Sequence, residues 1–304
     1  PLSKQCISWR GIALGANVQI KLVHPDENFG RRTLEECVQE IRRLERVFSL
    51  YDPQSTLSRL NRSGRVAGPE QELVELLATA VQFTQETGGA FDVSVQRLWT
   101  TFAQHFSTPG ASPNGPALSS VQSALDLVGS QHIRLSPQEI VLERDGMALT
   151  LNGIAQGYIT DKIRELLNAC GFSDVLIDLG EIFGGGTRPD GGAWQVGISD
   201  PGSPGGIVKR LRLQNRALAT SSSTGYTFSP DNRFTHLIDP RTGQCQQLYK
   251  SVSVIADDAA TADALSTSFA VLPLQEIERI TRKRARISVS LHQLNDTVAS
   301  FPRV

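Results

Sequence analysis

The apolar residues of this chain change their period repeatedly, and that limits most narrowly what it can fold into. Residues 11–23, GIALGANVQIKLV, have the apolar character of a strand. From Thr33 to Phe48 the spacing lengthens to that of a helix, with Leu34, Cys37, Val38, Ile41, Leu44 and Phe48 on one stripe and Thr33 with Glu36 as a capping box. A second helix is predicted from Pro69 to Gln85, with acids in its first turn and Leu73, Leu76, Leu77, Ala80 and Val81 on one side. The segment STPGASPNGPA, 107–117, reads as a surface loop. Beyond it come a helix near Ser119–Val128, strands at Ile140–Leu142 and Ala148–Leu151, the turn NGIAQG, and a helix from Tyr158 to Cys170 stopped by Gly171. Further strands are expected at Val175–Ile177, Trp194–Ile198, Leu211–Leu213, Thr235–Ile238 and Ser251–Ile255. Helices and hairpin-like strand runs follow one another without βαβ regularity. The expected fold class is therefore α+β, with a largely antiparallel sheet.

With 304 residues, 39% of them hydrophobic, the chain can bury a sizeable core as one domain over residues 1–304 or as two intimate subdomains. Lys and Arg number 30 against 31 Asp and Glu, which offers no basic surface to nucleic acid or to lipid headgroups. No apolar run approaches the roughly 18 residues that span a bilayer, so no transmembrane helix is expected. The opening residues PLSKQC lack the blocks of a signal peptide, and because they begin without Met a trimmed export signal stays open. Cys6, Cys37, Cys170 and Cys245 form no CxxC pair, so they read as structural thiols, with Cys37 and Cys170 on helical stripes, buried and unbridged.

Four stretches carry chemistry. In ADDAATADALST, 256–267, Asp263 and Thr267 stand four residues apart in a predicted helix, which puts a carboxylate and a hydroxyl on one face where both can bind a hard cation such as Mg²⁺. The alternative is a solvated surface pair. The turn LNGIAQG, 151–157, sets two glycines at a strand-to-helix junction, where backbone groups can approach a phosphate or its metal, or where turn geometry alone wants glycine. YDPQSTLSRLN, 51–61, places the Tyr51 ring beside a polar turn, for stacking on a planar ring or for plain packing. In HLIDPRTG, 236–243, His236 lies in a predicted short strand ahead of a compact turn, a candidate general base or a structural histidine. There is no hydrolase elbow, Walker loop or HExxH.

Taken in order, AFD (90–92), NGIAQGY, LATSSSTGY, HLIDPRTG and ADALST resemble the ApbE family of FAD:protein FMN transferases, over a span running from ALGA at Ala13 past Thr267. The resemblance implies a T-fold-related α+β architecture with packed helices and the FAD site between subdomains. It implies an Mg²⁺-dependent enzyme that splits the FAD pyrophosphate, releases AMP and joins FMN through a phosphodiester to a Thr or Ser of an acceptor flavoprotein. That acceptor would be membrane-bound and the enzyme periplasmic, its export signal absent from this chain. Carried over by position, Asp263, Thr267 and the backbone oxygen of Gly153 would hold the metal. Leu14, Tyr51, Ala90, Phe91, Asp92, Thr150, Gln156, His236 and Ile238 would face FAD. Asp263 and His236 would be catalytic, with His236 our candidate for accepting the proton of the acceptor hydroxyl.

Where the family commonly has DLGGIAKG this chain has TLNGIAQG, so Thr150 replaces Asp, Asn152 Gly and Gln156 Lys. A cation beside the pyrophosphate is lost, although Gln156 can still donate a hydrogen bond. Two other functions fit the same residues: hydrolysis of FAD to FMN and AMP, with water as nucleophile, and flavin binding without turnover. The retained Asp263 and Thr267 disfavour the second, since holding a flavin ring needs no metal.

Overall fold

The computed structural model describes residues 5–200, 203, 205–245 and 247–301. Residues 1–4 of the PLSKQC segment, on which the export reading rests, lie outside them. The helices are α1 (Glu27–Phe48), α2 (Thr56–Ser63), α3 (Gln71–Glu86), α4 (Gln96–Ser107), α5 (Leu118–Leu125), α6 (Ala155–Ala169), α7 (Ala259–Phe269) and α8 (Leu274–Lys283). The strands are β1 (Gln5–Ala13), β2 (Ala16–His24), β3 (Arg65–Ala67), β4 (Ile133–Leu135), β5 (Glu139–Leu142), β6 (Val175–Asp178), β7 (Ile182–Gly185), β8 (Trp194–Ser199), β9 (Ile207–Leu213), β10 (Arg216–Ser222), β11 (Tyr249–Ala256), β12 (Ser288–Gln293) and β13 (Val298–Phe301). Eight strands make one sheet in the order β1-β2-β6-β7-β10-β11-β12-β13, β3-β5-β4 form a small second sheet, and β8 pairs with β9. Each of these ladders is antiparallel, in agreement with the α+β expectation. No helix among the described residues is long and apolar enough to cross a membrane.

The main core lies between the large sheet and helices α1, α3, α6 and α7. Central strand β11 buries Ser251 to Val254 in succession, so both of its faces are covered. Helix α7 is buried nearly all round, and its Ala and Ser side chains let it lie close against β10, β11 and α6. A separate aromatic cluster joins α4 and α5 to the 228–238 segment through Leu98, Phe102, Phe228 and Ile238. All four cysteines are free thiols, with Cys37 buried and Cys170 half-buried.

Several boundaries differ from the sequence expectation. Helix α1 begins at Glu27, where Asp26 accepts a hydrogen bond from the Phe29 N–H at 2.9 Å. Thr33 therefore sits inside the helix, its hydroxyl donating to the Phe29 carbonyl at 3.1 Å, and forms no capping box with Glu36. The extra turns are buried through Gly30, whose missing side chain makes room for Ile7 of β1. The polar turn expected after Tyr51 is largely helix α2, capped by the Ser55 hydroxyl at 3.0 Å from the Ser58 N–H and closed by Gly64 in the left-handed region. Residues 148–151 form no strand. Their backbone bonds go to the Asn61 amide, which meets Leu149 at 2.7 and 2.8 Å, and from Thr150 N–H to the Val93 carbonyl at 2.7 Å. Residues 235–238 likewise form no strand: one isolated bridge, Thr227 to Thr235, stands there with the His236 N–H bonded to the Tyr226 carbonyl at 3.1 Å.

Helices α6 and α7 meet at their N-termini and cap each other. Asp161 of α6 accepts from the Ala259 and Ala260 N–H groups at 3.0 and 2.9 Å, and Asp263 of α7 accepts from the Gly157 N–H at 3.0 Å. The approach is so close that a Cβ on Gly157 would fall 2.3 Å from the Ala259 carbonyl oxygen. This glycine serves helix contact, and its N–H is already taken. Overpacking of this kind typically costs ~1–3 kcal/mol. Gly157→Ala is accordingly expected to lower the urea midpoint by a loss in that range with an unchanged m-value, and a midpoint equal to wild type would show that the two helices have slack.

Candidate active site

The exchange of caps points the outer face of α7 into a cavity of 280 Å³. Its walls come from the 90–95 segment, the 150–156 entry to α6, the end of β10, the 236–240 turn and α7. Asp263 and Thr267, one turn apart, both line it. The solvated-pair alternative is excluded for Asp263, which is 3% exposed. Burial pushes its carboxyl up to about 7, against the Gly157 N–H that favours the charged form and with help from the negative charge of Asp161. Thr267 Oγ1 lies 3.4 Å from Ser221 Oγ, which itself pairs with Ser266 Oγ at 2.8 Å. Gly153 stands directly against Thr267: a Cβ there would meet Thr267 Oγ1 at 2.9 Å and the Phe91 ring at 3.3 Å. Three positions far apart in sequence thus line one space.

His236 also lines the cavity. Its Nδ1 donates to the Tyr226 carbonyl at 2.9 Å, which fixes the tautomer and leaves Nε2 as the acceptor. Burial lowers its pKa, opposed by that backbone contact, so the ring is neutral near physiological pH. The rival carboxylate in the same turn, Asp239, is gripped at 2.9 and 2.7 Å by the Arg241 guanidinium and again by the Arg241 N–H. Asp92 is similarly occupied. Its two oxygens accept from the Ser94 N–H, the Ser94 hydroxyl and the Ser130 N–H at 2.6 to 3.0 Å, so it organises the loop at the cavity edge.

Ala90, Phe91, Thr150, Gln156 and Ile238 are on the cavity wall, and the Gln156 amide packs onto the Gly180 backbone. Leu14 and Tyr51 are not. Leu14 is at the β1–β2 turn with φ 54°, its N–H bound to Glu45, and Tyr51 is 83% exposed in the loop after α1.

Sequence reasoning passed over Glu181, in the turn between β6 and β7. It lines the cavity and is 7% exposed. Burial first, then the charge of Asp263, raises its carboxyl well above the ordinary range, although the Thr220 N–H favours the anion. The signal available was an acid inside the glycine-rich run DLGEIFGGG at the end of a buried strand.

Among the described residues three acids, Asp92, Glu181 and Asp263, line the cavity, and no Lys or Arg does. Among the described residues no group of three or more His, Cys, Asp or Glu converges as a complete metal cage. Asp263 and Thr267 bring a carboxylate and a hydroxyl to this wall and Gly153 lines it beside them, which offers hard oxygens. They fit Mg²⁺, which takes few protein ligands and completes its shell from water and phosphate oxygens.

A carboxyl raised from 3.8 to about 7 in the fold makes its full contribution to stability below about pH 4 and loses it as pH rises toward 7. In EDTA, wild-type melting temperature is therefore expected to fall between pH 5 and pH 8 more steeply than that of Asp263→Asn. Parallel profiles would remove the buried ionisation.

The sequence profile described as ApbE family matches residues 14–291. The FAD:protein FMN transferase of Treponema pallidum is 32% identical over 263 residues, covering 79% of this chain and 71% of that protein. The FAD:protein FMN transferase of Haemophilus influenzae is 28% identical over 283 residues, covering 88% and 80%. Among solved structures, the ApbE protein of Thermotoga maritima has a TM-score of 0.85 over 97% of this chain and 96% of its own at 24% identity, a likeness of fold.

Proposed function

The chain belongs to the ApbE family, and we propose that it transfers FMN from FAD to a Thr or Ser hydroxyl of an acceptor flavoprotein, forming a phosphodiester and releasing AMP in an Mg²⁺-dependent reaction. The observation that carries the reading is the acid-walled cavity in which Asp263, Thr267 and Gly153 stand together with no Lys or Arg among the described residues. A pyrophosphate cannot enter such a cavity without a cation. When bound there, held by Asp263, Thr267 and the Gly153 carbonyl, Mg²⁺ would neutralise the phosphate oxygens and the developing charge on the leaving AMP.

The protein's own groups do the rest. The acceptor hydroxyl oxygen forms a bond to the FMN-side phosphorus while the bond to the bridging oxygen breaks, and that oxygen leaves with AMP. His236 Nε2 receives the hydroxyl proton, because Nδ1 is anchored to Tyr226 and Asp239 is tied to Arg241. Gln156 supplies a neutral hydrogen-bond donor where a lysine is commoner. Phe91, Trp99 and Ile238 give the cavity apolar walls that keep bulk water from competing with the acceptor. We further propose that the acceptor is membrane-bound and that transfer occurs on the periplasmic side, as the family resemblance implies.

Mass spectrometry of a candidate flavoprotein incubated with the enzyme, FAD and Mg²⁺ tests this directly. The expected product carries one FMN, whereas free FMN and AMP alone would mean hydrolysis, and unchanged FAD would leave a binding protein. His236→Ala is expected to slow transfer by about 10²–10⁴ while FAD still binds. Wild-type transfer should fall as pH drops through the His236 pKa, which lies below the ordinary 6.5; a pH profile shared with the variant would return this histidine to a structural role. Gln156→Lys should tighten FAD binding, and more so at low salt. Equal affinities across a salt titration would place the residue away from the phosphates.

A further inference from the structure

We propose that Glu181 is a second carboxylate ligand of the cation in this cavity, so that the site binds divalent metal on its own before FAD arrives. The proposal rests on the Mg²⁺ reading above and extends it to a residue with no assigned role. Glu181 Oε2 is buried, and no hydrogen-bond partner reaches it among the described residues. An isolated buried carboxylate oxygen is costly, and proteins compensate it with a cation or with donors. Here the other acid in the wall with oxygen to spare is Asp263, of the same sign, and no Lys or Arg among the described residues lines the space.

The position of Glu181 is built. Gly180, at φ 105°, turns the chain between β6 and β7, and its missing side chain is occupied by the Gln156 amide. The turn is closed by the Leu179 N–H donating to the Glu181 carbonyl at 3.1 Å. Asp263 is restrained independently, because its Oδ2 is held by the Gly157 N–H. Two restrained carboxylates, the Thr267 hydroxyl and the Gly153 carbonyl form an all-oxygen set whose formal charge balances one divalent ion. Such a set prefers Mg²⁺ or Mn²⁺ to monovalent cations and to softer metals.

The test is a titration of the full chain with Mn²⁺ alone, without FAD, followed by electron paramagnetic resonance, on wild type, Glu181→Gln and Asp263→Asn. Melting in EDTA serves as the check on folding. Wild type should bind Mn²⁺, and Glu181→Gln should weaken that binding by about 10- to 100-fold while melting in EDTA at or above the wild-type temperature. Wild-type Mn²⁺ affinity in Glu181→Gln, with binding lost in Asp263→Asn, would overturn the role of Glu181 and leave the metal reading standing. No Mn²⁺ binding by wild type, with or without FAD, would overturn both. Should Glu181→Gln fail to fold, Glu181→Asp replaces it, and an unchanged affinity there counts against the proposal.

Discussion

Everything about the site depends on two helices that meet N-terminus to N-terminus and exchange carboxylates. Helix N-termini carry unsatisfied N–H groups and a partial positive charge, so bringing two together is unfavourable unless anions come with them. Here each helix brings the anion for the other: Asp161 for α7 and Asp263 for α6. Gly157 allows the contact, because any side chain would collide with the Ala259 carbonyl. The result sets the rotation of α7 about its axis, and with it which residues face the cavity.

Charge in the cavity follows from that arrangement. Asp161, Asp263 and Glu181 form a buried acidic series, each raised by desolvation and further by a neighbouring acid. Two other acids near the cavity are spent on structure. Asp92 is used up by the Ser94 and Ser130 groups, and Asp239 by Arg241. What remains available is a small number of hard oxygens and one neutral imidazole with its proton fixed on the far nitrogen. That division between committed and uncommitted acids separates loop architecture from chemistry.

The sequence reveals features that depend on spacing along one element. Asp263 and Thr267 are legible because a helical period alone puts them on one face, and α1 because its stripe is long. Glu181 is not, because its meaning comes from α7, some 80 residues later, lying opposite a glycine turn. The short run Thr235–Ile238 predicts a strand around His236, yet a strand needs a ladder, and the segment makes one bridge, Thr227 to Thr235, beside the His236 N–H bond to the Tyr226 carbonyl. Thr33 and Glu36 satisfy a capping pattern that Asp26 pre-empts, since a helix starts where its buried stripe starts, and Gly30 against Ile7 extends that stripe backward. Leu14 comes from resemblance alone and Tyr51 from resemblance and its place beside a polar turn, and the protein places both outside the cavity wall.

The double employment of Asp263 has a bearing on how this chain would age. One of its oxygens holds the first turn of α6, whatever happens in the cavity. A descendant that gave up its chemistry would still be selected to keep the aspartate, because removing it would leave a buried N–H without a partner. Thr267 and Glu181, with no helix end to hold, would be free to drift first. In a distant relative, then, an intact aspartate at this position testifies to the fold, and the company of the threonine and the glutamate is the better witness to a working site.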